Sequence, residues 1–254
     1  MAATPTLQPA SMRDRLGPAS RADAWRWLLI ALAGAVAGLA LSLVFTSIAA
    51  VIAGTPGGAR TLANEASPPV WFVACELVGL WCGFALAAVA VTRSGRTVGL
   101  TVNPRDAWYL LVGMGLQLVV DAVYLPFHLH GLTKSNNSLL GGGTSWLLLV
   151  PAVLTICFAP FFEELFFRGV VLRGLVAAWR TRPAALGVAA AVLVDATLFG
   201  LAHLGTDAWY QLPGLIALGV ILCVLAIRSG RLGPPILTHA GFNLLAVVLY
   251  AGTR

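Results

Sequence analysis

Three short polar patterns interrupt apolar stretches in the C-terminal half of the chain: Glu163-Glu164-Leu165-Phe166-Phe167-Arg168, Phe199-Gly200-Leu201-Ala202-His203 and His239-Ala240-Gly241-Phe242-Asn243. Carboxylates and imidazoles move protons, and imidazole and carboxamide donors stabilise developing negative charge. Inside a membrane span a charged residue costs roughly 2.5–3.5 kcal/mol at the helix centre on insertion scales, so a chain that keeps several there has a use for them. The three patterns together point to an acid/base site built inside a helical bundle.

Spacing divides the work among these residues. Glu164 and Arg168 are four residues apart with the acid first, the favourable order for an ion pair along one helix face. Glu163 is turned about 100° away and has no cation nearby in sequence. One glutamate can hold the arginine while the other is left to work; the alternative is a single structural ion-pair network. Phe199 stands four residues before His203, so its ring can pack over the imidazole and fix its orientation. His203 taken alone could equally be a satisfied core histidine. His239 and Asn243 again share a face, and an imidazole donor beside an amide donor suits a developing oxyanion. Three such pairs on three helices can converge on one pocket in a bundle core.

The elements that must position these residues follow from composition. Of 254 residues, 59% are hydrophobic and 10% charged, with mean hydropathy +0.87. Soluble domains carry about 25% charged residues, so the chain reads as an integral membrane protein. Apolar blocks at 27–53, 70–92, 108–129, 146–177, 184–205, 211–228 and 234–251 match the roughly 17–25 residues a span needs. The expected fold is all-α, a polytopic transmembrane helical bundle of about seven spans. Residues 1–26 read as a disordered cytoplasmic tail, 27–145 as three scaffold helices, and 146–251 as four helices carrying every motif.

Connections rich and poor in arginine alternate along the chain. Arg13, Arg15, Arg21 and Arg26 precede the first span, and Arg93, Arg96 and Arg105 follow the second. Arg180 and Arg182 follow the fourth span, and Arg228 and Arg231 the sixth. The positive-inside rule then puts the N-terminus in the cytoplasm and the C-terminus outside. The net charge of +6 is thus a topology signal. Without a basic cluster interleaved with aromatics, no nucleic-acid partner is expected. The first apolar run is too long for a signal peptide, whose apolar region spans about 7–15 residues. Cys75, Cys82, Cys157 and Cys223 lie in apolar blocks at no metal-ligand spacing and are expected to be buried small hydrophobes.

Several features outside the motifs carry structural expectations. Pro160 should kink the fourth span one turn before Glu163. Gly233-Pro234-Pro235 should force a sharp start to the last span. The stretch 130–145 reads as a flexible outer loop, with His128 and His130 at the interface. Glu76, Asp121 and Asp195 stand apart from the motifs and should pair with polar neighbours or line a crevice. Asp195 lies two turns before His203 on the same face. With straight helices, His239 falls near the cytoplasmic start of the last span, while Glu163 and His203 fall nearer the middle or outer half.

On these residues the chain resembles the CAAX prenyl endopeptidase and bacteriocin-processing family of intramembrane proteases. Its signatures are Glu-Glu-x-x-x-Arg, Phe-x-x-x-His and His-x-x-x-Asn, in that order on separate helices, and the resemblance covers about residues 146–250. It implies peptide-bond hydrolysis in or beside the bilayer, with a membrane-associated peptide or protein as substrate. Carried over, Glu163 is the general base helped by His203. His239 and Asn243 stabilise the oxyanion, and Glu164 with Arg168 braces the site. The favoured form needs no cofactor. The alternative places zinc on Glu163, His203 and His239, resembling two-histidine, one-glutamate sites. Arginine-rich composition, with Lys134 the single lysine, hints at a prokaryotic cell membrane. Two other classes compete: a non-proteolytic immunity or scaffold protein, and a proton-coupled transporter. The latter is disfavoured because the chain shows no repeated halves.

Overall fold

The structure is a computed structural model that describes residues 16–64, 68–93, 95–127, 149–180, 183–204 and 209–252. The first fifteen residues, the stretch 130–145 and both His128 and His130 lie outside the described residues. Helix α1 spans Arg21–Ile52, the short α2 Gly58–Ala63 and α3 Val70–Thr92. Helix α4 covers Pro104–Phe127, α5 Leu149–Ala178, α6 Ala184–Ala202 and α7 Trp209–Ser229. Helix α8 runs Gly233–Gly252. Seven of these, all but α2, are long and apolar enough to cross a membrane. The all-α polytopic bundle of about seven spans expected from the sequence is the fold observed.

One boundary differs from the expectation for a local reason. Helix α1 starts at Arg21, within the stretch 1–26 read as tail, because Ser20 caps it by accepting from the backbone N–H of Asp23 at 3.1 Å. A capping hydroxyl satisfies one of the N–H groups left over at a helix start. The polar connection after α1 folds a short helix, α2, behind Gly57 at φ 79°.

Helices pack where glycines let backbones touch. Gly34 and Gly38 on α1 face Gly83 on α3, Gly79 faces the Ser42 backbone one turn on, and a Cβ on Gly83 would strike the carbonyl of Gly34. This is small-residue packing of the kind that drives association in lipid, where apolar burial gives no preference. The outer face of α1, including Leu32, Val36, Leu39 and Leu43, stays exposed. Helix α3 then meets α5 through aromatic rings, with Phe84 stacked on Phe166 at 4.1 Å and Trp81 on Phe162 at 5.4 Å between centroids.

Helix α5 is the axis of the bundle, buried without interruption from Glu164 to Leu172. It is not one regular helix. A π-helical turn at Leu154–Phe158 precedes an α segment at Ala159–Phe166, and a second π turn follows at Phe167–Val171. The first lies before Pro160, whose ring cannot supply an N–H to the turn behind it. The second surrounds Arg168 and has no proline to cause it. Such π turns re-aim side chains and recur at functional sites.

One end of the bundle is strapped by the segment before α4. Arg231 grips Asp106 with both terminal nitrogens, at 2.7 and 2.9 Å. That bond pushes the Arg231 guanidinium above its ordinary range, so the pair stays ionised from its basic side. The backbone N–H groups of Leu232 and Gly233 donate to the carbonyls of Gly99 and Thr101. Pro234 and Pro235 occupy the first turn of α8, where a missing N–H costs nothing.

This end also explains how distant residues come level. Arg173 on α5 donates to Val98 O at 3.0 Å and to Gly230 O at 3.4 Å. The last turn of α5 therefore projects past the α7–α8 corner. Glu164 lies nine residues back from Arg173, and His239 nine residues on from Gly230, each about 13 Å deeper at 1.5 Å per residue. The mismatch of depth expected from straight, equal spans disappears because α5 overshoots.

Candidate active site

The site is assembled from α5, the end of α6, and the second turn of α8. Glu163 points its Oε2 at Nε2 of His203, 3.7 Å away, and at Nε2 of His239, 4.0 Å away. That oxygen is buried and makes no hydrogen bond among the described residues. Burial is graded across the three side chains, with His239 at 4% exposure, Glu163 at 14% and His203 at 23%. The site thus opens on the His203 side, where α6 ends.

Each imidazole is held by its other nitrogen. His203 is the C-cap of α6, and its Nδ1 lies 2.8 Å from the carbonyl oxygen of Phe199. A carbonyl only accepts, so Nδ1 carries the proton, and one of the carbonyls orphaned at a helix end is satisfied. The Phe199 ring sits 4.8 Å from the imidazole centroid. His239 Nδ1 lies 3.0 Å from Glu164 Oε1. A carboxylate is likewise an acceptor, so this Nδ1 is also the protonated nitrogen. Both rings consequently turn Nε2 toward Glu163. Second-site hydrogen bonds of this kind fix tautomer and ring orientation together.

Behind them lies a dry ionic cluster. Glu164 Oε1 also accepts from Arg168 Nη1 at 2.9 Å, with both side chains fully buried. The intrahelical pair read from the spacing is therefore present, and the same oxygen holds His239. Asn243 donates its Nδ2 to the carbonyl of Thr155, 2.8 Å away in the first π turn. His239 and Asn243 share a face of α8, but each has a partner of its own.

Asp195, expected to pair with a polar neighbour or line a crevice, approaches Arg168 Nε at 3.5 Å. Its position two turns before His203 was the available signal. Cys223 donates Sγ–H to Asp195 at 3.0 Å, and Gly219 O accepts from Arg168 Nη2 at 3.1 Å; neither residue type announces such a role. The expectation that all four cysteines are buried fails for Cys157, which is exposed, while Cys75 and Cys82 are half-buried. An apolar block has an outward face, and block membership does not say which face a residue takes.

The zinc alternative draws on the same geometry. Glu163, His203 and His239 are the donors it would use. Among the described residues no group of three His, Cys, Asp or Glu side chains is placed to hold a metal ion. No hydrolytic step is routed through a metal.

A seven-span helical bundle with two imidazoles and a carboxylate converging at its core defines a membrane protein with an acid/base site. Residues 145–245 match the family model described as type II CAAX prenyl endopeptidase, Rce1-like. That segment contains all three motifs, and the match supports the resemblance they carry to the CAAX protease family. No curated protein and no solved structure matches the chain.

Proposed function

We propose that this protein is an intramembrane endopeptidase that hydrolyses a peptide bond of a membrane-associated peptide or protein with water activated by Glu163 and His203. The observation that carries the reading is the convergence of Glu163 Oε2 with both Nε2 atoms, each ring locked from behind. With both Nδ1 protons committed, a neutral His203 offers a lone pair at Nε2. A carboxylate oxygen facing that lone pair calls for a proton donor between them, which a water molecule supplies.

The steps balance as follows. Water gives one proton to the Glu163 carboxylate while His203 accepts a hydrogen bond from the other. The water oxygen bonds to the scissile carbonyl carbon, and the carbonyl π pair moves onto oxygen. His239, as imidazolium with Nδ1–H on Glu164, donates Nε2–H to this oxyanion. The second Nδ2 hydrogen of Asn243 is the other donor. The tetrahedral centre then collapses, the C–N bond breaks, and protonated Glu163 returns its proton to the leaving nitrogen. General acid–base transfer of this sort is worth about 10²–10⁴ in rate, and a single oxyanion donor about 10²–10³. No metal is required, the N-terminus lies on the cytoplasmic side of a prokaryotic cell membrane, and the substrate reaches the site at the His203 edge.

The test is cleavage of membrane-anchored reporter peptides by purified protein and by Glu163→Ala after exhaustive chelation. Cleavage that survives chelation and disappears in the variant supports the reading. Cleavage lost on chelation and restored by zinc overturns the metal-free form. Equal inertness of both proteins, with retained binding of a partner, overturns proteolysis.

A further inference from the structure

We propose that Asp195 is a positioning residue for the hydrolytic centre, holding the Arg168 guanidinium so that Glu164 keeps His239 in its working orientation. The inference rests on the proteolytic reading above and extends it to a residue outside the three motifs. It acts through others, since it lies behind the centre and touches neither Glu163 nor the reacting atoms.

The Arg168 guanidinium addresses three helices, one with each nitrogen. Nη1 donates to Glu164 on α5, Nη2 to Gly219 O on α7, and Nε faces Asp195 Oδ2 on α6. Its Cζ also sits 4.4 Å from the centre of the Phe199 ring, a cation–π contact. Asp195 is itself steered, because the Sγ–H of Cys223 on α7 donates to the same Oδ2. All of these side chains are buried.

Charge balance is what makes Asp195 more than packing. Arg168 and Glu164 form a neutral pair, and the His239 imidazolium of the proposed mechanism adds a positive charge to the cluster, which the buried Asp195 carboxylate offsets. A brace for the arginine alone does not require it. What Asp195 adds is direction, since without it the Nε edge has no anionic partner and the guanidinium can turn about its remaining two contacts. Glu164 Oε1 is shared between Arg168 Nη1 and His239 Nδ1, so any such turn is handed to the imidazole. Misplacing a catalytic group by about 1 Å can cost about 10²-fold in rate.

The experiment compares wild type, Asp195→Asn and Cys223→Ala in the same detergent, using reporter cleavage and NMR of histidine-labelled protein. Asp195→Asn is expected to lower kcat about 10-fold with KM within about twofold. It should also move the hydrogen-bonded Nδ1–H resonance of His239, assigned by its absence in His239→Gln. The Nδ1–H resonance of His203, bonded to the Phe199 carbonyl, is the internal reference and should move less. In a Glu164→Gln background, Asp195→Asn should add no further loss. Unchanged kcat, an unmoved His239 resonance, or full additivity in that cycle overturns the proposal. If Asp195→Asn does not assemble, Cys223→Ala leaves the carboxylate and removes its donor; it must then shift the same resonance in the same direction, and no shift overturns the proposal. An inert wild type would defeat the proteolytic reading, while the resonance comparison would still decide the role of Asp195.

Discussion

Glu164 and His239, seventy-five residues apart in the chain, are joined by a 3.0 Å contact between Oε1 and Nδ1. This single link ties the arginine-bearing helix to the helix that carries the proposed oxyanion donors, and it makes the glutamate pair of the motif asymmetric. Glu163 faces the centre, and Glu164 faces away from it while controlling it. The asymmetry gives each carboxylate a different phenotype on substitution.

Glu163→Gln is expected to fold normally and lose about 10²–10⁴ in kcat. The Glu163 Oε2 atom has no hydrogen bond to lose among the described residues. Thermal unfolding in detergent should therefore stay close to wild type while reporter cleavage falls to background. Substantial residual cleavage would remove Glu163 from the role of base.

Removing charge from the cluster behind it should act on stability first. Breaking a buried ion pair by deleting one partner costs about 3–5 kcal/mol. Glu164→Ala leaves Arg168 with Asp195 at 3.5 Å, whereas Arg168→Ala leaves two buried carboxylates of which only Glu164 keeps a partner, His239. Arg168→Ala is thus expected to be the more destabilising. Arg168→Lys should rescue little, since one ammonium cannot reproduce a planar fork directed at three acceptors. Unfolding midpoints of the three variants check the order, and the reverse order would mean that the cluster is not held by its charge.

His203 separates its two nitrogens cleanly. Nδ1 is committed to the Phe199 carbonyl at 2.8 Å, and Nε2 faces Glu163. His203→Asn keeps a short N–H donor near the Phe199 carbonyl and discards the outer nitrogen. It is expected to cost about 1 kcal/mol or less in stability and about 10²-fold or more in kcat. A variant that loses stability and activity in proportion would instead mark His203 as a helix cap and nothing more.

How much of this was readable in the sequence depends on the kind of contact. The spans were legible because a run of apolar residues is itself the physical cause of insertion. The Glu164–Arg168 pair was legible because helical periodicity places residues four apart on one face. Contacts between helices were not. A polar partner was expected for Asp195 but could not be named, because Arg168 lies on another span, and Gly219 contributes through a carbonyl that every residue possesses. Thr155 O is reached by Asn243, and no pattern of side chains marks that acceptor. The GxxxG-type spacings Gly34–Gly38 and Gly79–Gly83 were present in the sequence, yet apolar blocks were judged on hydropathy, which does not register small residues as contacts. The relative depth of His239 was misjudged because straight spans were aligned at their ends, whereas α5, which ends at Ala178 close to the end of its apolar block, projects past the α7–α8 corner.

Asn243 carries one committed hydrogen and one uncommitted by that bond. Its Nδ2 donates to Thr155 O at 2.8 Å, which holds the amide plane and directs the second hydrogen. Asn243→Ala should lower kcat about 10²–10³-fold with little change in KM, as for any group that acts only on the transition state. Asn243→Asp should be worse, because it sets an anionic oxygen against both the Thr155 carbonyl and the developing oxyanion. If Asn243→Asp retains more activity than Asn243→Ala, the oxyanion role is wrong.

The placement of His239 and Asn243 depends finally on how closely α8 approaches α4. Gly113 on α4 faces the Thr238 carbonyl and the Phe242 amide nitrogen, and Gly241 on α8 faces the Leu110 carbonyl. In both cases an added Cβ would run into backbone, which cannot turn aside as a side chain can. Gly113→Ala must therefore push the helices apart, and α8 carries His239 and Asn243 with it. Overpacking of this kind costs about 1–3 kcal/mol, and the loss of kcat should exceed what the stability change alone would give. Gly115, two residues on, supplies the control: a Cβ there meets nothing within 4 Å. Gly115→Ala exchanges the poorest ordinary helix former for the best, a change worth up to about 1 kcal/mol in a helix interior, so it should leave stability equal or raised and cleavage unchanged. Unfolding midpoints and kcat of the two alanine variants in one detergent decide the matter. Equal behaviour of Gly113→Ala and Gly115→Ala would mean that the α4–α8 contact does not set the position of the oxyanion donors.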